Sequence, residues 1–180
     1  MDVLAEATRL ERAGRSIVHM EVGQPGAPAP SAVLAAARAA LDGPLGYTEA
    51  LGRSALRGRI ARHYREAYGV EVAPDNVVVT TGSSAGFVLA FLAGFDAGAR
   101  IALPSPGYPA YRNILKALDL VPVEIETTAE TRWALTPEHL DRASADGPIA
   151  GVLVASPANP TGTMMEPDAL AALVARAHDL

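Results

Sequence analysis

From Val77 onward the apolar positions fall into short β-branched runs separated by longer stretches of helical period. Val77-Val78-Val79-Thr80, Ile101-Ala102-Leu103, Val121 to Ile125 and Ile149 to Ala155 read as four buried strands. Between them lie an apolar helix through Phe87, Leu89 and Leu92, and a second helix ending near Leu118. A third helix is capped by Thr136, with Pro137 at its first position and Leu135 and Leu140 placed as a hydrophobic staple. A last helix begins near Pro167. Strand and helix alternating in this way predict a mainly parallel sheet with helical crossovers.

Upstream of Val77 the period is helical. Val3 to Ala13 predicts a helix, followed by a short extended piece from Ile17 to Val22. Gly23 to Pro30 is rich in Gly and Pro, which suits either a linker or a shaped lip over a site. Ser31 is placed to cap the next helix, whose Val33, Leu34, Ala37 and Leu41 share one face. Asp42-Gly43-Pro44 stops it. A further amphipathic helix is predicted from about Gly52 to Tyr68, with Leu56, Ile60, Tyr64 and Ala67 inward. Opposite them Arg53, Arg57, Arg59, Arg62 and Arg65 read as a solvated basic face.

Composition narrows the function classes. The 180 residues are 49% hydrophobic and 19% charged, which describes a folded domain with a real core. A net charge of −5 argues against a general nucleic-acid or membrane-surface role. The absence of cysteine excludes disulfides, thiol catalysis and thiolate metal sites. His19, His63, His139 and His178 lack metal-ligand spacing, so no metal site is expected. No apolar run reaches membrane-spanning length and the start lacks a signal peptide's apolar core, so a cytoplasmic location is expected.

Candidate chemistry gathers at the predicted strand ends. Thr80-Thr81-Gly82-Ser83-Ser84 joins a strand to a helix, where free N–H groups and hydroxyls make an anion pocket suited to phosphate; a well-capped turn carries the same residues. Gly82-Ser83-Ser84-Ala85-Gly86 also satisfies Gly-x-Ser-x-Gly, the nucleophile elbow of α/β hydrolases. A serine hydrolase with Ser84 as nucleophile is therefore the alternative reading, with His139 and His178 the downstream histidines it would need. Tyr108, past a strand end in Pro104-Ser105-Pro106-Gly107-Tyr108, can lie flat on a heteroaromatic ring or serve as ordinary packing. Ser156-Pro157-Ala158-Asn159-Pro160-Thr161-Gly162 follows the last strand, where open α/β sheets bind ligands. Ser105–Pro106 and Asn159–Pro160 are candidate cis bonds.

This last segment closely resembles the Asn-Pro-Thr-Gly signature of the class I/II aminotransferases, pyridoxal-phosphate enzymes of fold type I. Gly23-Gln24-Pro25, Gly46-Tyr47 with Leu56-Arg57, the Gly82 loop and the Pro-x-Pro-x-aromatic segment at Tyr108 resemble further family blocks in the right order. The resemblance implies a transaminase of amino acid metabolism, moving an amino group between an L-amino acid and a 2-oxo acid on pyridoxal 5′-phosphate. It implies that Gly82, Ser83 and Ser84 hold the cofactor phosphate, Tyr108 stacks on the pyridine ring, and Asn159 hydrogen-bonds the phenolic oxygen. Gly23 is implied to approach the substrate carboxylate, with Tyr108 and Asn159 also facing the substrate. Tyr47 is implied to reach the phosphate of the partner subunit in a homodimer.

By the same resemblance, residues 1–29 belong to the small domain or arm. Residues 30–180 form an incomplete version of the aspartate-aminotransferase-like large domain, a three-layer α/β fold. The family's lysine, its pyridinium-facing Asp, its ring-oxygen Tyr and its carboxylate-binding Arg are expected downstream of Leu180. Lys116, the single lysine, is expected on the surface. The chain is thus expected to be an amino-terminal portion, with no catalytic residue of its own and no turnover alone.

Overall fold

A computed structural model describes residues 2–21, 23 and 26–180; Met1, Val22, Gln24 and Pro25 lie outside the described residues. The chain divides into two compact units, 1–48 and 49–180.

The first unit holds α1 (Asp2–Arg12) and α2 (Ser31–Leu41). Past α1 the chain is irregular rather than a strand, and His19 bridges two carboxylates there, Glu11 at 2.9 Å and Glu21 at 2.6 Å. Those hydrogen bonds, first to Glu21 and then to Glu11, raise the His19 pKa. Ser31 does not cap α2. Pro30 occupies the cap position and its carbonyl accepts from Val33 and Leu34, leaving Ser31 as the first helical residue.

The second unit is built on a parallel three-stranded sheet of β1 (Arg100–Ser105), β2 (Val121–Glu126) and β3 (Gly151–Val152), in the order β2-β1-β3. Successive side chains of a strand face opposite ways, and β1 is buried on both faces. Ile101 and Leu103 pack with Phe91 of α4 (Ser83–Gly94) and Leu115 of α5 (Pro109–Ala117). Ala102 packs on the other side with Leu140 of α6 (Pro137–Ser144) and Leu173 of α7 (Pro167–Asp179). The result is the three-layer α/β arrangement that strand–helix alternation predicts.

Two of the four expected strands differ. Ile149–Ala155 narrows to Gly151–Val152, although Ala150 N–H and Leu153 N–H continue the ladder onto Arg100 and Ala102 carbonyls, each at 2.8 Å. Val77–Thr80 is extended but not a strand, because no neighbouring strand pairs with it among the described residues. Its one ladder-like bond runs from Val79 N–H to the Leu51 carbonyl at 2.9 Å, and Val78 stays exposed.

The helix α3 (Ser54–Tyr68) also turns out differently. Gly69 at φ +67° stops it as expected. The predicted inward stripe is not the buried one: Leu56 and Tyr64 are exposed, while Ala61 is buried. Arg57, assigned to the solvated face, lies inward with only 12% of its side chain exposed. Its side chain is stapled to the segment that follows the helix, which overrides the amphipathic pattern.

Candidate functional site

Parallel strands place their carboxyl ends on one edge, and the turns after β1 and β3, which carry Tyr108 and Asn159, leave from that edge. At the end of β1 the chain passes through cis Ser105–Pro106 into Tyr108, whose backbone caps α5 ahead of Pro109. Gly107 fits because a Cβ there would stand 2.6 Å from the Pro104 carbonyl oxygen. The level of this turn is fixed by Thr127 just past β2. Its N–H (2.8 Å) and hydroxyl (3.0 Å) both donate to the Ser105 carbonyl.

Tyr108 is 40% exposed. Its ring meets that of Tyr111 edge-on at 5.4 Å, and Tyr111 in turn meets Phe87 at 4.9 Å. This run of rings ties Tyr108 to the first turns of α4, where Ser83 and Ser84 are exposed. Gly82 precedes them at φ +82°, a region that favours glycine. Among the described residues no side chain caps α4, so its first N–H groups are left as free donors beside two exposed serines. Thr80 fixes the approach by donating its hydroxyl to the Gly82 carbonyl at 2.8 Å.

The third turn rises from β3. Ala102 and Val152 are register partners and Leu153 N–H still bonds the Ala102 carbonyl, so the turn begins beside the end of β1. A cavity of about 20 Å³ lined by Pro104, Val154, Ala155 and Ala158 records that contact. Ala158 N–H donates to the Thr163 carbonyl at 2.9 Å, and Gly162 N–H to the Ala158 carbonyl at 2.7 Å. The Thr161 and Thr163 hydroxyls pair at 2.9 Å, and Ser156 Oγ accepts from Met165 N–H at 3.0 Å. The closed base holds Asn159 exposed at the tip, next to a cis proline. Ser156–Pro157 is cis as well, beyond the two bonds anticipated.

The family model described as aminotransferase class I and II matches residues 15–180. The chain belongs to this family. It is 53% identical over 174 residues to the valine–pyruvate aminotransferase of Mycobacterium tuberculosis, an alignment covering 96% of this chain and 44% of that protein. It is 28% identical to the aspartate aminotransferase of Bacillus subtilis, over 99% of this chain and 46% of that protein. The crystal structure of an aminotransferase from Mycobacterium tuberculosis superposes with a TM-score of 0.91 at 51% identity, covering 99% of this chain and 46% of that one. The Thermus thermophilus aspartate aminotransferase with maleate superposes at 0.89 with 32% identity, covering 99% and 47%. The chain thus spans less than half the length of these relatives, and its fold is that of the aspartate-aminotransferase-like large domain, incomplete in this chain.

The serine-hydrolase alternative has no support from this family or from the geometry. Ser84 opens a helix on the Ile101 face of the sheet, whereas His139 and His178 ride on α6 and α7 against the opposite face. His139 is also engaged, its Nδ1 accepting from Thr136 N–H at 3.1 Å. Lys116 is exposed near the end of α5. That helix starts at the carboxyl edge and runs back roughly 13 Å at 1.5 Å per residue, so Lys116 stands at the wrong edge to meet Tyr108 or Asn159.

The two candidates in the first unit are Gly23 and Tyr47, both exposed. Gln24 and Pro25, which complete the Gly-Gln-Pro segment, lie outside the described residues. Sequence reasoning passed over Thr127 altogether. Its only signal is a hydroxyl just past an alternating apolar and acidic strand, and its partner is a backbone carbonyl that no side-chain motif reveals.

Proposed function

We propose that the whole protein transfers an amino group between an L-amino acid and a 2-oxo acid on pyridoxal 5′-phosphate, with this chain supplying the cradle for the cofactor. The reading is supported by membership of this family together with an uncapped helix N-terminus, an accessible aromatic ring linked to that helix through Tyr111 and Phe87, and a hydrogen-bonded Asn turn after β3. The donor set suits the group: N–H groups and hydroxyls for a phosphate, a ring face for a pyridine, an amide for a phenolic oxygen.

In this reading Gly82, Ser83 and Ser84 hold the phosphate, where the α4 dipole favours negative charge. Tyr108 fixes the plane of the ring, and Asn159 donates its amide N–H to the ring oxygen, keeping negative charge there. Gly23 faces the substrate carboxylate, and Tyr47, in a homodimer, reaches the partner subunit's phosphate group. Pyridoxal phosphate, when bound, supplies the electron sink for the amino acid's α-carbon. Lys116, at the opposite edge, does not serve as its covalent anchor.

The test uses the whole protein, dialysed free of cofactor. Resupplied with pyridoxal 5′-phosphate, it is expected to convert 2-oxo acids to amino acids at the expense of an amino donor, read by chromatography. The similarity to a valine–pyruvate enzyme makes valine with pyruvate the first pair to try, and aspartate with 2-oxoglutarate the second. No amino-group transfer from any of a full panel of amino acids would overturn the reading.

A further inference from the structure

We propose that Arg57 and Gly52 are positioning residues for the phosphate-binding turn: together they clamp the extended segment 74–80 that leads straight into Gly82-Ser83-Ser84. The inference rests on the cofactor reading above and adds residues from outside the turn itself.

The problem it answers is mechanical. A turn that must present several N–H groups to one phosphate needs a fixed approach, and in a parallel α/β fold the preceding strand provides it through its ladder. Here Val77–Thr80 has no ladder among the described residues. Among those residues it is held from α3 and from the Leu51–Gly52 turn before it. Arg57 Nε donates to two carbonyls, Pro74 at 3.1 Å and Val77 at 3.0 Å. Its Nη2 bonds Asp75 at 2.8 Å. One largely buried guanidinium thus grips both ends of the 3-10 turn Pro74–Asn76, with charge-assisted bonds in a rigid fork that an ammonium cannot reproduce.

The second grip lies further along. Val79 N–H donates to the Leu51 carbonyl at 2.9 Å, and Gly52 follows at φ +95°. A Cβ on Gly52 would stand 2.6 Å from Val79 Cβ, so a side chain there pushes the segment away three residues before Gly82. The two grips act at positions 74–77 and at 79. Thr80 then completes the path with its bond to the Gly82 carbonyl. None of these groups needs to touch the cofactor. They set where the α4 N-terminus points.

The experiment measures three dissociation constants on the whole apo-protein: for pyridoxal 5′-phosphate, for inorganic phosphate by competition, and for pyridoxal, which has the ring but no phosphate. Arg57→Gln is expected to weaken the first two by on the order of tenfold while leaving pyridoxal within about twofold. Arg57→Lys, retaining charge but not the fork, should recover part of the loss. Gly52→Ala should show the same selective pattern, and it carries the test alone if Arg57→Gln does not fold. Equal losses for pyridoxal and its phosphate would mean general loosening of the fold and overturn the inference, as would unchanged affinities in both variants. A wild-type protein that binds neither pyridoxal phosphate nor phosphate overturns the functional reading, and this inference with it. Normal wild-type binding beside unaffected variants overturns this inference alone.

Discussion

At the residue scale, each proposed contact draws on a separable property of one side chain. Tyr108 offers a ring held by Tyr111, and the stacking contribution does not need its hydroxyl. In the whole protein Tyr108→Phe should therefore keep cofactor affinity, whereas Tyr108→Ala should forfeit about 0.5–1.5 kcal/mol of ring interaction, up to roughly a tenfold loss by equilibrium dialysis. Equal losses in both variants would assign the role to the hydroxyl instead. Ser84→Ala should weaken binding by on the order of 1 kcal/mol, the value of one hydrogen bond, and should not alter hydrolysis of an activated ester. Residues of this kind were legible because their chemistry is carried by identity within a short motif. Arg57 and Thr127 were not. Arginine on an amphipathic helix reads as solvated, and a threonine just past a strand reads as ordinary loop polarity. What gives each its place is a backbone carbonyl distant in sequence, 17 to 22 residues away.

At the scale of elements, helices with strong punctuation formed where expected. Thr136-Pro137 starts α6 and Gly69 stops α3. His139 stands at the third position of α6, where a capping box usually has Glu or Gln, and accepts from Thr136 N–H. Burial, and secondarily the Arg142 charge, lowers the His139 pKa below its ordinary 6.5. A base whose folded-state pKa is depressed leaves the unfolded chain binding the proton first, so stability is full above about 6.5 and falls as pH drops toward the lowered value. Thermal unfolding followed between pH 7.5 and 5 should show this slope in the wild type and less of it in His139→Gln, which keeps an acceptor without the titration. A slope identical in the two proteins would remove His139 from the account. Strand extents were less legible, because pairing decides them. The apolar run 149–155 keeps only Gly151–Val152 as strand, and Gly151 is held by shape, since a Cβ there would meet the Phe95 ring at 2.5 Å. Gly151→Ala should cost about 1–3 kcal/mol by overpacking, measured by denaturant titration.

At the scale of the whole molecule, the layered architecture followed from alternation, but how fully each layer is covered did not. Helix α4 is apolar on nearly every side, a pattern suited to burial all round. Phe87, Phe91 and Phe95 line up against the sheet, while Leu89 and Leu92 on the other side remain 54% and 62% exposed. The far edge of β3 has no partner strand among the described residues, and Val152, Val154, Leu170, Leu173 and Val174 line an open hollow of about 310 Å³ beside it. Each uncovered apolar side chain of this size forgoes roughly 1.5–3 kcal/mol of burial. A few such losses rival the roughly 5–15 kcal/mol by which domains are stable at all. The polypeptide of residues 1–180, expressed by itself, is therefore expected to bind hydrophobic dyes and to unfold over a broad range, or to self-associate through the open edge. The whole protein should do neither. A 180-residue monomer that unfolds sharply and binds no dye would show that these faces tolerate water, and that the three strands and their helices are sufficient as they stand.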